Sequence, residues 1–159
     1  MNVNIIAVGK IKEKYLKDAI EEYKKRLSRF CKLTIIEVPD ESMSTTPSEK
    51  EIESILKKEG EKILSSIKNT DVLISLCVEG KQKTSEEFAQ FFSDECVKGA
   101  NTFTFVIGGS VGLCDEIKNT SHTKLSFSKM TFPHQLMRVI LTEQIYRAFK
   151  INANENYHK

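Results

Sequence analysis

The sequence predicts a single α/β domain over residues 1–159, with a parallel sheet covered by helices on both faces. Short, nearly all-apolar runs typical of buried strands alternate along the chain with longer segments that have the apolar period of amphipathic helices. A strand that is apolar throughout is buried on both sides, as strands are in a parallel sheet. The length suits one domain with one sizeable core, and no repeat, low-complexity tract or linker divides it.

The first predicted elements are a strand and a helix. Asn2 to Val8 is rich in β-forming and apolar residues and ends at Gly9, which indicates a strand. The next segment carries apolar residues at steps of three and four positions: Tyr15, Leu16, Ala19, Ile20, Tyr23, Leu27 and Phe30. The chain therefore opens with a strand followed by an amphipathic helix.

A strand, a loop and a second helix come next. Leu33 to Val38 predicts the strand, and Pro39 to Pro47, rich in Ser, Thr and acidic residues, predicts a loop that we expect to be mobile. Ser48 followed three positions later by Glu51 is a capping-box pattern, which favours a helix that begins there and ends near Ser66.

The middle of the chain repeats this alternation. Val72 to Val78 is a nearly all-apolar strand. Thr84 with Glu87 repeats the capping-box pattern ahead of a helix that carries Phe88, Phe91 and Phe92. Phe103 to Ile107 predicts a fourth, buried strand.

The last part of the chain holds a short helix, a strand and a long helix. Asp115 to Asn119 predicts the short helix and Thr123 to Phe127 the strand. Pro133 favours the first turn of a helix, which runs to about Ile151. Its wide apolar face is formed by Leu136, Met137, Ile140, Leu141, Ile145 and Phe149. Its other face carries four charged residues: Arg138, Glu143, Arg147 and Lys150. Glu143 and Arg147 are spaced to form an ion pair, which could serve only to support the helix.

The net charge of +2 is too small to indicate a nucleic-acid-binding protein, but the charges are unevenly distributed. Residues 1–36 carry nine Lys or Arg against four Asp or Glu, residues 71–116 three against eight, and residues 117–159 seven against two. If the two basic ends meet in the fold or across a dimer, they form a positive surface suited to phosphates. The alternative is an ordinary solvated surface, and charge alone does not decide between the two.

Composition excludes several other classes. The chain is 40% hydrophobic and 29% charged, so a disordered or fibrous protein is excluded. The apolar run Ile5 to Val8 is far shorter than a signal-peptide core or a membrane span, which predicts a cytoplasmic protein that does not contact a membrane. The cysteines are too widely spaced for a metal-binding pair, so we expect free, buried or half-buried thiols and no metal: Cys31, Cys77, Cys96 and Cys114.

The ligand-binding side of such a fold lies where loops leave the carboxyl ends of the strands. Three segments meet this condition: 78–83, 108–113 and 126–133. In the second, Gly108 to Gly112 lets the backbone come close to a ligand, although the same run also suits a plain structural turn. It lacks the Gly-Lys-Ser/Thr ending of a P-loop and the G-x-G-x-x-G spacing of dinucleotide sites, so ATP and dinucleotides are not favoured.

The third segment and the tail carry chemically useful groups. Ser126 to His134 mixes aromatic, thioether and hydroxyl side chains around one lysine, which suits an adenine or a thioether ligand. The alternative is a loop that caps the last helix, with Met130 and Phe132 as part of the core. The chain closes on Tyr157, His158 and Lys159, which place an aromatic ring, a titratable ring and a cation in succession.

Three strings along the chain resemble a known family. They are VIGGSVGL at 106–113, LSFSKMTFPHQLMRVILTEQIYRAFKI at 125–151, and the terminal YHK. The sequence resembles the ribosomal RNA large-subunit methyltransferase H family, the pseudouridine N3 methyltransferases of the knotted SPOUT class, over essentially its whole length. It departs from the family pattern just before the tail, where family members commonly carry Pro ahead of Tyr-His and this chain has NANEN at 152–156.

The resemblance implies the fold, the cofactor and the reaction. It implies a homodimer whose C-terminal region forms a deep trefoil knot, which periodicity cannot predict. It implies S-adenosylmethionine as cofactor, held by Leu76, Gly108, Phe127, Ser128, Lys129, Met130, Thr131 and Phe132. The implied reaction is methylation of N3 of a pseudouridine in large-subunit (23S) ribosomal RNA, within the assembled ribosome and without a metal.

The resemblance also implies roles for the tail and the last helix. We expect His158 to handle the N3 proton, because imidazole groups titrate near neutral pH, with Arg147 and Tyr157 as the other catalytic residues. Arg138 and Lys159 are expected to contact RNA. The basic first helix of a partner subunit is expected to hold RNA phosphates through Lys14, Lys17, Lys24, Lys25, Arg26 and Arg29.

Two other function classes stay open on the residues alone. One is an α/β protein that binds ATP or a dinucleotide, which the missing glycine and lysine signatures disfavour. The other is an RNA-binding or assembly protein that has kept the fold and lost the chemistry, which the altered residues 152–156 leave open. Binding of ATP, NAD and S-adenosylmethionine separates the first class, and methyl transfer to ribosomes separates the second.

Overall fold

A computed structural model describes all residues, 1–159, as ten alternating strands and helices. The strands are β1 (Asn2–Val8), β2 (Lys32–Val38), β3 (Val72–Gln82), β4 (Thr102–Ile107) and β5 (Thr123–Ser126). The helices are α1 (Lys14–Leu27), α2 (Glu49–Ser66), α3 (Ser85–Val97), α4 (Asp115–Thr120) and α5 (His134–Asn152). Every predicted element is present and in the predicted order. The largest difference is β3, which continues past the predicted end at Val78 as far as Gln82.

The strands form one sheet in the order β2-β1-β4-β3-β5, and every neighbouring pair is parallel. The predicted parallel sheet is therefore confirmed. Because all strands run the same way, their carboxyl ends lie along a single edge. The loops that follow β3, β4 and β5 are brought together at that edge, since these three strands are neighbours.

Helices cover both faces of the sheet, as predicted. On one face, Ile5 of β1 and Phe105 of β4 lie in a core cluster with residues of α1, α3 and α5. On the other face, Ile6 and Val106 lie in a second cluster with residues of α2 and α4. Successive residues of β1 thus point to opposite, equally buried faces, which is why its sequence is apolar throughout.

The two predicted capping boxes have different outcomes. The box at α3 is confirmed: Glu87 N donates to Thr84 Oγ1 over 3.1 Å, and Thr84 N donates to Glu87 Oε2 over 2.8 Å. At α2 only half of the box forms, because Ser48 Oγ accepts from Glu51 N while the Glu51 carboxylate accepts from the backbone and hydroxyl of Ser44. Glu51 therefore anchors the 39–47 loop, whose mobility stays a prediction.

Helices α1 and α5 pack against each other, so the two basic ends of the sequence meet. Phe30 stacks on Phe149 at 5.7 Å between ring centroids, and Arg29 pairs with Glu155 at 2.8 Å. A positive surface was expected if the two basic ends meet in the fold or across a dimer, and they meet within one chain. The trefoil knot implied by the family resemblance stays a prediction.

The four cysteines are free thiols, as predicted. Cys31 is buried and the other three are half-buried. No three His, Cys, Asp or Glu side chains are grouped as a metal site. None of the helices combines the length and the apolar character that crossing a membrane requires.

Candidate active site

A pocket of about 300 Å³ lies at the carboxyl ends of β3, β4 and β5. Its walls come mainly from segments 76–79, 107–113 and 126–132, with Lys118, His134 and Met137 completing the lining. The second and third segments agree with the predicted strand-end loops 108–113 and 126–133, whereas only Val78 and Glu79 of the predicted 78–83 segment line the pocket. The volume is at the lower end of the range found for small-molecule sites.

The first wall results from an irregularity in β3. Leu125 of β5 is the pairing partner of both Leu76 and Lys81, so residues 77–80 leave the ladder and project beside the pocket. The excursion ends at Gly80, where the backbone of β3 lies close to the backbone of β5. A Cβ atom at this position would lie 2.7 Å from the carbonyl carbon of Leu125 and 2.8 Å from the carbonyl oxygen of Lys124. No other residue fits this approach of two backbones, and the sequence signal for the bulge is a glycine among β-compatible residues.

The second wall is a tight glycine turn. A Cβ atom at Gly108 would lie 2.4 Å from the carbonyl oxygen of Gly112, whose own φ is +82°. Gly112 N donates to Gly109 O over 3.1 Å and closes the turn. The turn is therefore both structural and part of the pocket lining, and the two interpretations of this motif are compatible.

The third wall is segment 126–132. Ser126 Oγ donates to the carbonyl oxygen of Ser128, and Ser128 Oγ accepts from Met130 N, each over 3.0 Å. Met130 is 73% exposed and Phe132 36% exposed, so the alternative that both belong to the core is wrong. Lys129 has an exposed side chain that does not line the pocket. The other seven residues expected to hold the cofactor do line it: Leu76, Gly108, Phe127, Ser128, Met130, Thr131 and Phe132.

A second cluster, the tail cluster, joins the end of α5 to the tail. It consists of Glu143, Arg147, Tyr157 and His158. Glu143 Oε1 accepts from Arg147 Nη2 over 2.6 Å and from the Tyr157 hydroxyl over 3.1 Å. The Arg147 guanidinium carbon lies 4.7 Å from the centre of the Tyr157 ring. The structure thus brings together the three residues expected to be catalytic, around a glutamate that the sequence identified only as an ion-pair partner.

Both ring nitrogens of His158 have polar neighbours. Nε2 lies 2.6 Å from Oε1 of Glu86 in the first turn of α3, and Nδ1 lies 3.3 Å from Arg147 Nη1. Because an arginine can only donate, Nδ1 is assigned as acceptor and Nε2 as donor to Glu86. Hydrogen bonds from its own backbone N–H, from His158 and from Thr84 lower the pKa of Glu86 to about 2. Glu86 is a site residue that sequence reasoning missed.

The Tyr157 phenol is a hydrogen-bond donor in this cluster. Burial, together with its contact to Glu143, raises the pKa of Tyr157 to about 12. The phenol therefore stays protonated at neutral pH and cannot act as a base. Lys159, the next residue but one, is exposed.

A cavity of about 200 Å³ lies between the pocket and the tail cluster. It shares Ser126 and Phe127 with the pocket. On its other side, Ser85 Oγ donates to Gln144 Oε1 over 2.8 Å, and Gln144 Nε2 donates to Glu143 Oε2 over 2.7 Å. The hydrogen bonds from Ser85 to Gln144 and from Gln144 to Glu143 therefore link one wall of this cavity to the tail cluster.

Arg138 does not have the expected role. Its side chain is 0% exposed, and its guanidinium donates to Glu37 Oε1, Val8 O and Gly9 O over 2.7–2.9 Å. The expectation that Arg138 contacts RNA is wrong for this conformation, because no part of the guanidinium reaches the surface. Arg138 instead joins α5 to the ends of β1 and β2.

Comparison with known proteins decides the family. A family model described as a predicted SPOUT methyltransferase matches residues 1–158. The chain belongs to the SPOUT methyltransferase family. Two relatives align with this SPOUT methyltransferase over 159 residues and the full length of both chains. They are the ribosomal RNA large subunit methyltransferase H of Clostridium novyi (strain NT), 58% identical, and that of Clostridioides difficile (strain 630), 55% identical.

Two solved structures share the fold of this SPOUT methyltransferase. A probable methylase family protein from Haemophilus influenzae Rd KW20 aligns with a TM-score of 0.54 and 13% identity, over 99% of this chain and 70% of that one. A probable methyltransferase from Bordetella pertussis Tohama I aligns with a TM-score of 0.55 and 12% identity, over 92% of this chain and 95% of that one. These likenesses support the fold.

A methyltransferase needs a methyl donor, and the pocket of this SPOUT methyltransferase has the shape and lining for one. In one wall, Gly108, Gly109 and Gly112 contribute backbone and no side chain. Phe127, Met130 and Phe132 offer apolar surface on another wall, and the Ser126 and Ser128 hydroxyls add polar contacts. This combination of a glycine wall, an apolar wall and a few polar groups suits a nucleoside ligand.

Proposed function

We propose that this protein is a homodimeric, cytoplasmic enzyme that methylates N3 of a pseudouridine in 23S ribosomal RNA on the assembled ribosome, with S-adenosylmethionine as methyl donor. The observation that carries the proposal is the 58% identity, over the full length of both chains, with ribosomal RNA large subunit methyltransferase H of Clostridium novyi. Two features support it: the strand-end pocket could hold the methyl donor, and the tail cluster offers polar groups for proton transfer.

The cofactor would be held by the seven lining residues at the ends of β3, β4 and β5. When bound, S-adenosylmethionine supplies a methyl group already activated by a positively charged sulfur. The protein then has to align the reactants, exclude water and assist the loss of the N3 proton. Phe127 is placed for the first two tasks, since it lines both the pocket and the cavity that leads to the tail cluster.

His158 is the proposed proton acceptor. In the structure its Nε2 donates to Glu86 and its Nδ1 accepts from Arg147, so Nδ1 has to give up the Arg147 contact before it takes a proton from N3. Arg147 is the proposed stabiliser of charge on the deprotonated base. Tyr157, held by Glu143 as a protonated phenol, would donate a hydrogen bond or stack on the base.

RNA would be held by the basic surface of α1, from the partner subunit, together with Lys159. Lys14, Lys24, Arg26 and Arg29 form ion pairs with acidic side chains, but their own side chains remain 38–86% exposed. Exposed pairs of this kind are weak, so phosphates can displace the carboxylates. A methyltransferase of ribosomes would act in the cytoplasm, where its substrate is.

The proposal is tested by incubating the purified protein with radiolabelled S-adenosylmethionine and ribosomes that lack the modification. Digestion of the RNA should show the label in N3-methylpseudouridine. Cofactor binding by calorimetry without any label would favour the RNA-binding or assembly protein. Binding of ATP or NAD in place of S-adenosylmethionine would favour the nucleotide-binding class.

Replacing His158 by alanine should lower the single-turnover rate of methyl transfer by about 100-fold or more, the usual contribution of a general base. The affinity for S-adenosylmethionine should change by less than about twofold, because the ring does not line the pocket. Rates are measured on ribosomes by rapid quench and affinity by calorimetry. Asn156→Ala, in the same tail, is the control and should keep the rate. An unchanged rate in folded His158→Ala protein would remove His158 from the mechanism.

Replacing Lys17 and Lys25 together by alanine should reduce the salt dependence of RNA binding. Removing one lysine–phosphate interaction lowers the slope of log affinity against log salt by about 0.7–0.9, so the slope of the double variant should fall by about 1.5. The slope is measured by filter binding between about 50 and 200 mM salt. Lys57 and Lys58 on α2, which covers the other face of the sheet, provide the matched double control. Equal slopes in both double variants would contradict an RNA surface on α1.

A further inference from the structure

Glu59 on α2 is a buried carboxyl group with one unpartnered oxygen. The residue is 4% exposed, and its Oε1 accepts from Glu41 N over 3.0 Å. Its Oε2 is buried and has no hydrogen-bond partner. Burial raises the pKa of Glu59, as expected for a carboxyl removed from water. A buried acceptor without a partner is costly, so Oε2 is a natural place for a donor from outside the chain.

Glu59 lines a small cavity of about 30 Å³, which we name the acidic cavity. Asp40, Glu41 and His134 also line it. This volume holds about one water molecule or one small polar group. The acidic cavity is thus too small for a nucleotide or a base, but it is large enough for a single functional group of a larger ligand.

The acidic cavity adjoins the cofactor pocket. Gly109, Val111 and His134 line both spaces. At Gly109 a Cβ atom would lie 2.9 Å from Val8 Cγ1 and 3.2 Å from Glu59 Oε2. Because position 109 has no side chain, no side-chain atoms of that residue stand between the carboxylate and the glycine turn of the pocket.

The charges around the acidic cavity favour a cation. Asp40 and Glu59 line it without a basic partner within 4 Å, whereas Glu41 pairs with Lys62 at 2.6 Å. Burial and the nearby Arg138 cation lower the pKa of His134, which keeps that ring neutral. No three metal-ligating side chains are grouped here or elsewhere, so a metal ion is not the favoured occupant. A primary ammonium group, with three N–H donors and one positive charge, matches two carboxylates.

We propose that Glu59 and Asp40 bind the α-ammonium group of the methionine part of the cofactor. The inference rests on the proposed function, since it takes S-adenosylmethionine as the ligand of the pocket. The adenosine part would lie against the three strand-end walls, and the amino-acid part would extend past Gly109 to the acidic cavity. Glu59 is then a specificity residue that selects ligands with a positively charged amino-acid end.

The first test needs only the unmodified protein. We compare S-adenosylhomocysteine with the analogue in which hydrogen replaces the α-amino group. S-adenosylhomocysteine should bind at least about tenfold more tightly, because the analogue has no ammonium group to donate hydrogen bonds to the carboxylates of Glu59 and Asp40. Affinities are measured by calorimetry at neutral pH. Equal affinities would overturn the inference and leave the proposed function intact. Failure of the protein to bind S-adenosylhomocysteine at all would overturn the proposed function and this inference with it.

The second test assigns the effect to Glu59. In Glu59→Gln the amide oxygen can still accept from Glu41 N, so we expect the 39–47 loop to stay anchored while the charge is removed. S-adenosylhomocysteine should bind about tenfold less tightly, and both the analogue without the amino group and 5′-methylthioadenosine should bind as before. Glu61→Gln, an exposed glutamate on the same helix, is the matched control and should change none of the three affinities. Equal weakening of all three ligands would show that Glu59 only supports the loop, and would overturn the inference.

Discussion

Replacing Gly108 by alanine is expected to weaken cofactor binding strongly while the rest of the domain stays folded. The new Cβ would lie 2.4 Å from the carbonyl oxygen and 2.6 Å from the carbonyl carbon of Gly112, and backbone atoms cannot move aside as a side chain can. The turn has to open, and the second wall of the pocket moves with it. We expect the affinity for S-adenosylmethionine to fall by about 100-fold, equivalent to about 3 kcal/mol, as measured by calorimetry.

Gly99→Ala separates the effect on the pocket from a general effect of adding a methyl group to a glycine. Gly99 has φ +101° in the turn before β4, and a Cβ atom there would have no neighbour within 4 Å. Its replacement should therefore destabilise the fold by about 1–3 kcal/mol through backbone strain and leave cofactor affinity unchanged. Cofactor affinity that is equal in the two variants would contradict the role assigned to the Gly108 turn.

Replacing Arg138 by alanine should lower the free energy of unfolding by about 3–5 kcal/mol, because the change leaves buried acceptors unpaired and opens a cavity. The hydrogen bonds removed are those to Glu37, Val8 and Gly9, at the ends of β1 and β2. Denaturant unfolding followed by circular dichroism measures the change.

Arg26→Ala is the matched control for Arg138→Ala. Arg26 pairs with Glu22 at 2.7 Å on the surface of α1, where such pairs contribute little. Its replacement should leave the unfolding midpoint nearly unchanged. If the two arginine variants unfold at the same denaturant concentration, the buried network around Arg138 does not stabilise the fold.

The sequence predicted the order of elements because periodicity and capping are local. The Thr84–Glu87 box formed as expected, whereas at Ser48 the Glu51 carboxylate binds Ser44 instead of completing the box. The order of strands in the sheet is not local. The bulge of β3 depends on Leu125, more than forty residues away along the chain, and no pattern around Gly80 contains that partner.

The candidate site was predicted to the extent that its residues are close in sequence. Segment 126–132 and the tail were identified from composition and family resemblance. Glu86 was missed because it reaches His158 from another helix, across 72 positions of sequence. Arg138 was assigned to the surface because helical periodicity shows only which side of α5 a residue lies on. It does not show that the ends of β1 and β2 cover the charged side of the helix at this position.

Because of the bulge in β3, the length of the first pocket wall can change without a change in the register of the sheet. Both ends of the excursion are fixed on the same residue, Leu125. An extra residue inserted between 77 and 80 would lengthen the wall and leave the pairing of Val72 to Leu76 with β4 as it is. An insertion within Val72 to Leu76 would shift that pairing and turn core side chains to the wrong face. The excursion is therefore the segment through which evolution, or an engineer, can resize the donor pocket one residue at a time without rebuilding the core.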